Sequence, residues 1–213
     1  MPALMNPIRK NLLIILTVLA LGGGVAAVFM QLQGPHQLPL HATVMPTPLP
    51  LPEFELLDQS GQQFDRQSLR GGWSLVFFGF THCPDICPAT LQQLAIARGK
   101  VMAAGNGQVN SFPQIILISV DPERDSVAIM REYVGHFGAD IKGVTGSIEE
   151  LKKLTSALGI FFEKSTGDGE DYNVAHSAVV LLINPDAEFH ALFSAQHDVE
   201  NFVNDVPLLA GST

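Results

Sequence analysis

The chain has 213 residues, enough for one ordinary domain and an additional segment, so its core does not depend on disulfides. Hydrophobic residues make up 46% and charged residues 15%, with a mean hydropathy of +0.23. This composition excludes a disordered chain and favours a membrane segment. The 12 Lys and Arg residues against 21 Asp and Glu give a net charge of -9, which excludes a nucleic-acid-binding surface.

An uncharged apolar run at residues 12–30 is long enough to span a bilayer as a helix. Arg9 and Lys10 precede the run, and no basic residue follows before Arg66. The positive-inside rule therefore predicts residues 1–11 in the cytoplasm, residues 12–30 as a transmembrane anchor, and the remainder outside.

A cleaved signal peptide is the alternative for this segment, because Ala26 and Ala27 are small residues near its end. The apolar run is longer than the usual core of such a peptide, which favours the anchor. The N-terminus lacks an Arg-rich and Ser-rich transit region, which favours a bacterial inner membrane with the domain in the periplasm. A mitochondrial inner-membrane protein would share this topology.

Residues 31–52 contain six of the 14 prolines and are predicted as an extended linker. His36, His41 and Met45 lie in this linker, but their spacing fits no ordered metal site, so we expect a plain tether. Residues 53–213 carry all 21 acidic and ten of the basic residues, a net charge of -11. One domain is expected at this length.

The pattern of the predicted domain alternates apolar strands with amphipathic helices. Ser147 and Glu150 have the spacing of a capping box, and Gly159 ends the helix that follows. The predicted elements are a strand at 73–80, a helix at 88–104, a strand at 115–120, helices at 126–137 and 147–158, strands at 174–183 and 188–193, and a helix from about 198. This order predicts an α/β fold with a thioredoxin-like sheet.

The two cysteines, Cys83 and Cys87, lie in a CxxxC segment where the first buried strand ends and a helix begins. Ligand sites in open α/β sheets favour this position, and a helix start is expected to lower a thiol pKa. Two sulfurs at this spacing suit either a redox pair or a shared metal. Inert core thiols are the alternative, although Pro84, Asp85 and Pro88 are typical of a turn and helix start.

A metal site would need a third ligand, and the candidate residues are His82, His136, His176, His190 and His197. His176 is favoured because it lies at a loop immediately before an apolar strand, which can bring it beside the cysteines. Two thiolates and one imidazole suit copper, as Cu(I) or Cu(II), and zinc remains an alternative. His82 is expected to point away from the site, and His136 is expected to be a solvated residue.

Three motifs together resemble the SCO/SenC family, the copper proteins that assist assembly of the binuclear copper site of cytochrome c oxidase. They are FGFTHCPDICP at 78–88, SVDPERD at 119–125 and YNVAHS at 172–177. The resemblance covers residues 53 to about 205. It implies a thioredoxin-like domain that binds copper through Cys83, Cys87 and His176. It also implies the copper-bearing oxidase subunit as a partner, and it is compatible with a second partner, a periplasmic protein that donates copper.

The chain departs from the family pattern at two places. Family members often carry an acidic residue before the ligand histidine, where this chain has Ala175, and Asp-Pro-x-Gly is common where it has residues 184–187, NPDA. A missing acid leaves the orientation of the imidazole without its usual support. Asp121, Arg124 and Asp125 match the family, and we interpret them as loop and helix-start residues, with Asp125 as an N-cap.

Two functional hypotheses use the same thiols. The leading hypothesis is a membrane-anchored metallochaperone that passes copper to the oxidase by ligand exchange, which requires no enzymatic turnover. The alternative is a thiol–disulfide oxidoreductase in which Cys83 and Cys87 form the catalytic redox pair and keep the acceptor cysteines reduced. A thiol peroxidase is a third hypothesis, since thioredoxin-type sheets also host such enzymes.

Overall fold

The structure, a computed structural model, describes residues 8, 11, 16–19, 21–24, 39–104, 112–165 and 172–211. The chain divides into two units, Met1–Leu38 and Pro39–Thr213. Within the described ranges, no helix combines the length and apolarity that crossing a bilayer requires. The anchor predicted at 12–30 lies largely outside the described residues. Within this range the structure describes residues 16–19 and 21–24, which are helical.

The second unit contains ten strands and four helices among its described residues. The strands are β1 (Ala42–Pro50), β2 (Glu55–Asp58), β3 (Gln63–Asp65), β4 (Ser74–Gly79), β5 (Gln114–Ser119), β6 (Lys142–Thr145), β7 (Phe162–Lys164), β8 (Val174–His176), β9 (Val180–Ile183) and β10 (Glu188–Phe193). The helices are α1 (Ile86–Ala104), α2 (Val127–Gly135), α3 (Ile148–Leu158) and α4 (Val199–Ala210), and a 3₁₀ turn spans Arg66–Leu69.

Eight strands form one mixed sheet in the order β1-β10-β9-β4-β5-β6-β2-β3. β4, β5 and β6 are parallel neighbours, and the other neighbouring pairs are antiparallel. β4 and β5 are buried almost throughout, as their continuous apolar sequences predict for central strands. The remaining strands, β7 and β8, form a separate antiparallel hairpin. The predicted α/β class is confirmed.

The predicted strand at 174–183 is two strands, β8 and β9, which belong to different sheets. β9 pairs with β4 and β10 in the main sheet, whereas β8 pairs with β7 and with no other strand in the described part of the chain. At the break, the Ser177 N–H donates to the Phe161 carbonyl, and the Phe161 N–H donates to Ser177 Oγ. These two bonds continue the pairing of β8 with β7 beyond His176, and the chain enters the main sheet only at β9.

The predicted linker contains a strand of the main sheet. β1 pairs with β10 at the edge of the sheet, where its prolines need not donate hydrogen bonds to a second neighbour. The fully buried Asp205 carboxylate of α4 accepts three bonds at 2.7–3.1 Å from the N–H groups of Leu40, His41 and Ala42. Met45 packs against the hydrophobic core. The compact unit therefore starts at Pro39, earlier than the predicted boundary at 53.

The helix ends largely follow the predicted chemistry. Ser147 caps α3 by accepting the Glu150 N–H, and Gly159 ends α3 in the left-handed conformation at φ +67°. The Glu150 carboxylate does not complete the expected capping box but accepts the Glu55 N–H at 2.9 Å. It thereby joins α3 to the start of β2. Asp198 caps α4, where the sequence predicts the last helix to begin.

Candidate metal site

The CxxxC segment connects the buried end of β4 to α1, as the sequence predicts. Cys83 is half-buried in the loop, and Cys87 is fully buried in the first turn of α1. The Cys87 N–H points to Cys83 Sγ at 3.4 Å. At the end of β4, a Cβ on Gly79 would lie 2.9 Å from Cys87 Sγ, so the absence of a side chain there makes room for the thiol. Cys83 is therefore partly exposed to solvent, whereas Cys87 is enclosed.

Burial controls the ionisation of Cys87. Removal from water raises the pKa of this thiol, and a backbone hydrogen bond with Phe80 lowers it by less. The expectation that the helix start lowers the thiol pKa is therefore wrong for Cys87, because desolvation outweighs the favourable backbone groups. In the absence of a metal, Cys87 is a neutral thiol at physiological pH, and a bound metal must displace its proton.

The third residue of the site, His176, comes from a distant part of the sequence. It is the last residue of β8, and its Nε2 lies 3.4 Å from Cys87 Sγ. Its ring makes edge contacts with Phe77 and Phe80, with centroids 5.9 and 5.8 Å away. Burial lowers the pKa of His176, so the imidazole is neutral at pH 7 and one of its nitrogens is available as a ligand.

The backbone orients this imidazole without an acidic neighbour. His176 Nδ1 lies 3.3 Å from the carbonyl oxygen of Ser177, which accepts a bond from the tautomer protonated on Nδ1. That tautomer leaves the Nε2 lone pair directed at the cysteines. Ala175 is exposed and lies opposite Glu163 on β7. The support that the family pattern assigns to an acid at 175 comes here from a backbone carbonyl.

Cys83, Cys87 and His176 together form a candidate metal site. One donor atom from each of the three residues lies within 4.8 Å of the other two. Two sulfurs and one imidazole nitrogen are soft or borderline ligands, which fit copper in a three-coordinate arrangement and fit Mg²⁺ or Ca²⁺ poorly. The structure brings together all three residues that the resemblance predicts as ligands.

The other four candidate histidines lie outside this group. His82 Nδ1 is 3.1 Å from Thr81 Oγ1, and His136 is exposed at the C-terminal end of α2, as predicted for both. The His190 ring stands edge-on to Trp73 with centroids 5.1 Å apart. His197 is buried, with Nε2 3.1 Å from the Ala178 carbonyl oxygen.

Asp125 is not the helix N-cap that the sequence predicts, because Ser126 caps α2. The Asp125 side chain is fully buried and accepts bonds from Thr81 N–H at 3.0 Å, Thr81 Oγ1 at 2.6 Å and Ser119 Oγ at 2.6 Å. Burial raises the pKa of Asp125. The carboxylate ties the end of β5 to the loop that precedes Cys83, a role that local capping patterns do not reveal.

Comparison with known proteins agrees with this geometry. The family model described as SCO1/SenC matches residues 46–210. The Arabidopsis thaliana protein named SCO1 homolog 1, mitochondrial, is 39% identical over 153 residues, which cover 72% of this chain and 45% of that protein. The chain therefore spans less than half the length of this relative.

Two solved structures share the fold. One is Arabidopsis thaliana ScoI with copper bound, with a TM-score of 0.67 and 36% identity over 73% of this chain and 94% of that one. The other is yeast Sco1 with copper bound, with a TM-score of 0.69 and 30% identity over 78% and 91% of the two chains. They confirm the predicted thioredoxin-like fold. From its sequence, its fold and the arrangement of its cysteines and histidine, the chain belongs to the SCO1/SenC family.

Proposed function

We propose that the chain binds copper through Cys83, Cys87 and His176 and assists assembly of the binuclear copper site of cytochrome c oxidase. The observation that carries this proposal is the convergence of the three donor atoms within 4.8 Å. Solved structures of similar proteins with copper bound support the choice of metal. The soft donor set supports it independently.

The burial of the three ligands suits a metal that is carried and then released. Cys87 is enclosed, whereas Cys83 and His176 are only half-buried. An incoming thiolate from an acceptor can approach on the Cys83 side, bond to the metal and replace the ligands of this chain in turn. Such a transfer exchanges metal–ligand bonds and requires no net oxidation or reduction.

We further propose that residues 12–30 anchor the domain in a bacterial inner membrane, with residues 1–11 in the cytoplasm and the copper site in the periplasm. The uncharged run and the two basic residues before it support this topology. An anchor would place the domain in the same bilayer as the copper-bearing oxidase subunit and raise their effective concentration. A periplasmic donor would supply the copper.

A second candidate function is thiol–disulfide exchange with the acceptor cysteines. The two sulfurs lie within 4.8 Å of each other, and both cysteines are free thiols in the structure. In this reaction the accessible Cys83 thiolate would attack an acceptor disulfide, and Cys87 would then displace the reduced acceptor and close the Cys83–Cys87 disulfide. Two electrons pass to the acceptor. His176 has no part in this chemistry.

Copper titration separates the two functions. The full chain in mild detergent, reduced and anaerobic, is titrated with Cu(I) against a competing chelator, together with His176→Ala and the exposed control His136→Ala. We expect one equivalent to bind tightly in the wild type and in His136→Ala. The loss of a direct ligand in His176→Ala should weaken binding by on the order of 100-fold or more. If His176→Ala binds Cu(I) with the affinity of the wild type, the result would favour thiol–disulfide exchange.

A further inference from the structure

Among the residues that the structure describes, the strand that carries His176 has no backbone pairing with the main sheet. β8 pairs only with β7, and the two strands form a sheet of their own. The cysteines, in contrast, follow β4 at the centre of the main sheet. The distance from His176 to Cys87 therefore depends on what fixes the β7–β8 hairpin against the rest of the domain.

Three side chains connect this hairpin to the loop after β5. Arg124 Nε donates to Asp121 Oδ2 at 2.5 Å, and Arg124 Nη1 donates to the Tyr172 carbonyl oxygen at 3.1 Å. The Tyr172 hydroxyl donates to Asp121 Oδ1 at 2.6 Å. The Arg124 guanidinium also lies over the Tyr172 ring, 3.6 Å from its centroid. We call Asp121, Arg124 and Tyr172 the hairpin clamp.

The clamp is strong because two of its members are removed from water. The side chain of Asp121 is 3% exposed and that of Arg124 is 13% exposed, so their ion pair and hydrogen bonds face little competition from solvent. The Arg124 guanidinium lies 5.9 Å from the centroid of the Phe80 ring, which itself contacts His176. Tyr172 precedes His176 by four residues. The clamp thus holds the chain next to the histidine ligand.

Lys164 adds a second cation at the same ring. Its Nζ lies 3.8 Å from the centroid of Tyr172 and 2.6 Å from Glu123 Oε2. Lys164 belongs to β7, so both strands of the hairpin are joined to the 121–125 loop through Tyr172 and its neighbours. Lys164 and Glu123 are more exposed than Asp121 and Arg124, and we expect their pair to contribute less.

We infer that Tyr172 and Arg124 are positioning residues for copper binding, because the hairpin clamp brings His176 Nε2 into reach of the two cysteine sulfurs. This inference rests on the proposed function, since it concerns the same three ligands. The clamp bonds the hairpin that carries the histidine and makes no hydrogen bond to either cysteine among the described residues. Weakening the clamp therefore lowers copper affinity by more than it shifts the reduction potential of the Cys83–Cys87 pair.

Tyr172→Phe removes the hydroxyl that bonds Asp121. Arg124→Lys is a second clamp variant, which keeps the charge but loses the planar guanidinium and its several hydrogen bonds. Arg131→Lys is the matched control for the arginine variant. It makes the same chemical change at an exposed position on α2, where Arg131 Nε donates to the Gln59 carbonyl at 2.8 Å.

The experiment is a double-mutant cycle on the full chain in detergent, reduced and anaerobic, with Cu(I) titrated against a competing chelator. We expect Tyr172→Phe and Arg124→Lys to weaken copper binding by about 10- to 100-fold, the range typical of residues that orient metal ligands. Arg131→Lys should bind copper as the wild type does. In a His176→Ala background, Tyr172→Phe should cause no further loss, since the ligand that it positions is absent.

The outcomes distinguish the inference from the proposed function. Wild-type affinity in both clamp variants would overturn the inference, and so would an equal loss with and without His176. A shift in the Cys83–Cys87 reduction potential as large as the change in copper affinity would also overturn it, because it would indicate a general disturbance. If His176→Ala itself binds copper as tightly as the wild type, the proposed function fails first.

Discussion

His176 Nε2 lies 3.4 Å from Cys87 Sγ, although 89 residues separate the two side chains along the chain. The imidazole is neutral because burial lowers its pKa, and the thiol is neutral because burial raises its pKa. The two groups therefore meet without charge in the metal-free protein. A metal that binds here replaces the thiol proton and finds the imidazole already in a ligating form.

Copper affinity should rise with pH through the neutral range. The pKa of Cys87 is raised, so its thiol stays protonated there and each bound Cu(I) displaces that proton. This proton alone makes the affinity increase by about tenfold for each pH unit. Chelator-competition titrations at pH 6, 7 and 8, corrected for protonation of the chelator, measure the slope. A flat profile over this range would show that Cys87 is not a ligand.

Gly79→Ala should displace the Cys87 thiol and so weaken the metal site. The added Cβ would lie 2.9 Å from both Cys87 Sγ and a Phe77 ring carbon, so one of these buried groups must move. Such overpacking lowers the free energy of unfolding by about 1–3 kcal/mol, and the displaced sulfur should weaken copper binding. Urea unfolding and Cu(I) titration measure the two effects.

The matched control for Gly79→Ala is Gly72→Ala. A Cβ at Gly72 has no atom within 4 Å, and the residue does not require a positive φ. We expect this variant to keep both the stability and the copper affinity of the wild type. Equal behaviour of the two alanine variants would contradict the close contact between the end of β4 and Cys87.

A fragment that starts at residue 39 should be more stable than one that starts at 53. The shorter fragment lacks β1, which exposes the edge of β10 and removes the three N–H groups that Asp205 accepts. Because a buried carboxylate then lacks its donors, we expect a loss of at least about 3 kcal/mol and a tendency to aggregate. Urea unfolding and size-exclusion chromatography of both fragments measure this difference.

Asp205→Asn in the longer fragment separates the two causes. It removes the charge that binds the start of β1 but leaves the strand in place, so it should lose part of the stability that the truncation loses. Asn204→Ala, at the exposed neighbouring position on α4, should be close to neutral. If the fragment from 53 is as stable as the fragment from 39, residues 42–50 serve only as a tether.

The metal-free protein should lose stability as the pH falls from 7 to 5. Burial lowers the pKa of His176, His190 and His197 below the ordinary value of 6.5. The unfolded chain therefore binds more protons in this range. The stabilisation that these groups provide is complete above pH 6.5 and is lost as the pH falls through their folded-state pKa values.

His197→Gln tests this pH dependence at one position. The variant should reduce the slope by at most about 1.4 kcal/mol per pH unit, as expected for one titrating group. Asn204→Ala, which removes an exposed side chain that does not titrate, should leave the slope as in the wild type. Urea unfolding of the metal-free chains at several pH values provides the measurement. An unchanged slope in His197→Gln would contradict a lowered pKa, because it would show that His197 titrates equally in the folded and unfolded chains.

The central strands, the main helices and the cysteine segment could be predicted from local patterns. Continuous apolar runs mark β4 and β5 because both faces of a central strand are buried. Ser147, Gly159 and Asp198 mark helix ends because their side chains or backbone satisfy the free groups there. These signals involve residues close together in the chain, so they can be recognised from the sequence alone.

Other elements escaped prediction because distant partners create them. β1 is rich in proline and resembles a linker, and it becomes a strand only through β10 and the buried Asp205. The apolar stretch that contains β8 and β9 gives no sign of the break after His176, since the break arises because β8 pairs with β7 and Ser177 bonds Phe161, whereas β9 pairs in the main sheet. Asp125 has the sequence position of a cap, yet its partners are Thr81 and Ser119.

The sequence by itself determined the pair of thiols and their place at a strand end, because the spacing of Cys83 and Cys87 is local. It left five histidines as candidates and favoured His176 from its place before an apolar strand, and the family resemblance then implied His176 as the ligand. The tertiary structure decided that His176 meets the cysteines, how its ring is oriented by Ser177, and that Asp121, Arg124 and Tyr172 hold its hairpin. Contacts between residues far apart in sequence arise from the packing of the whole domain, and no local pattern contains them.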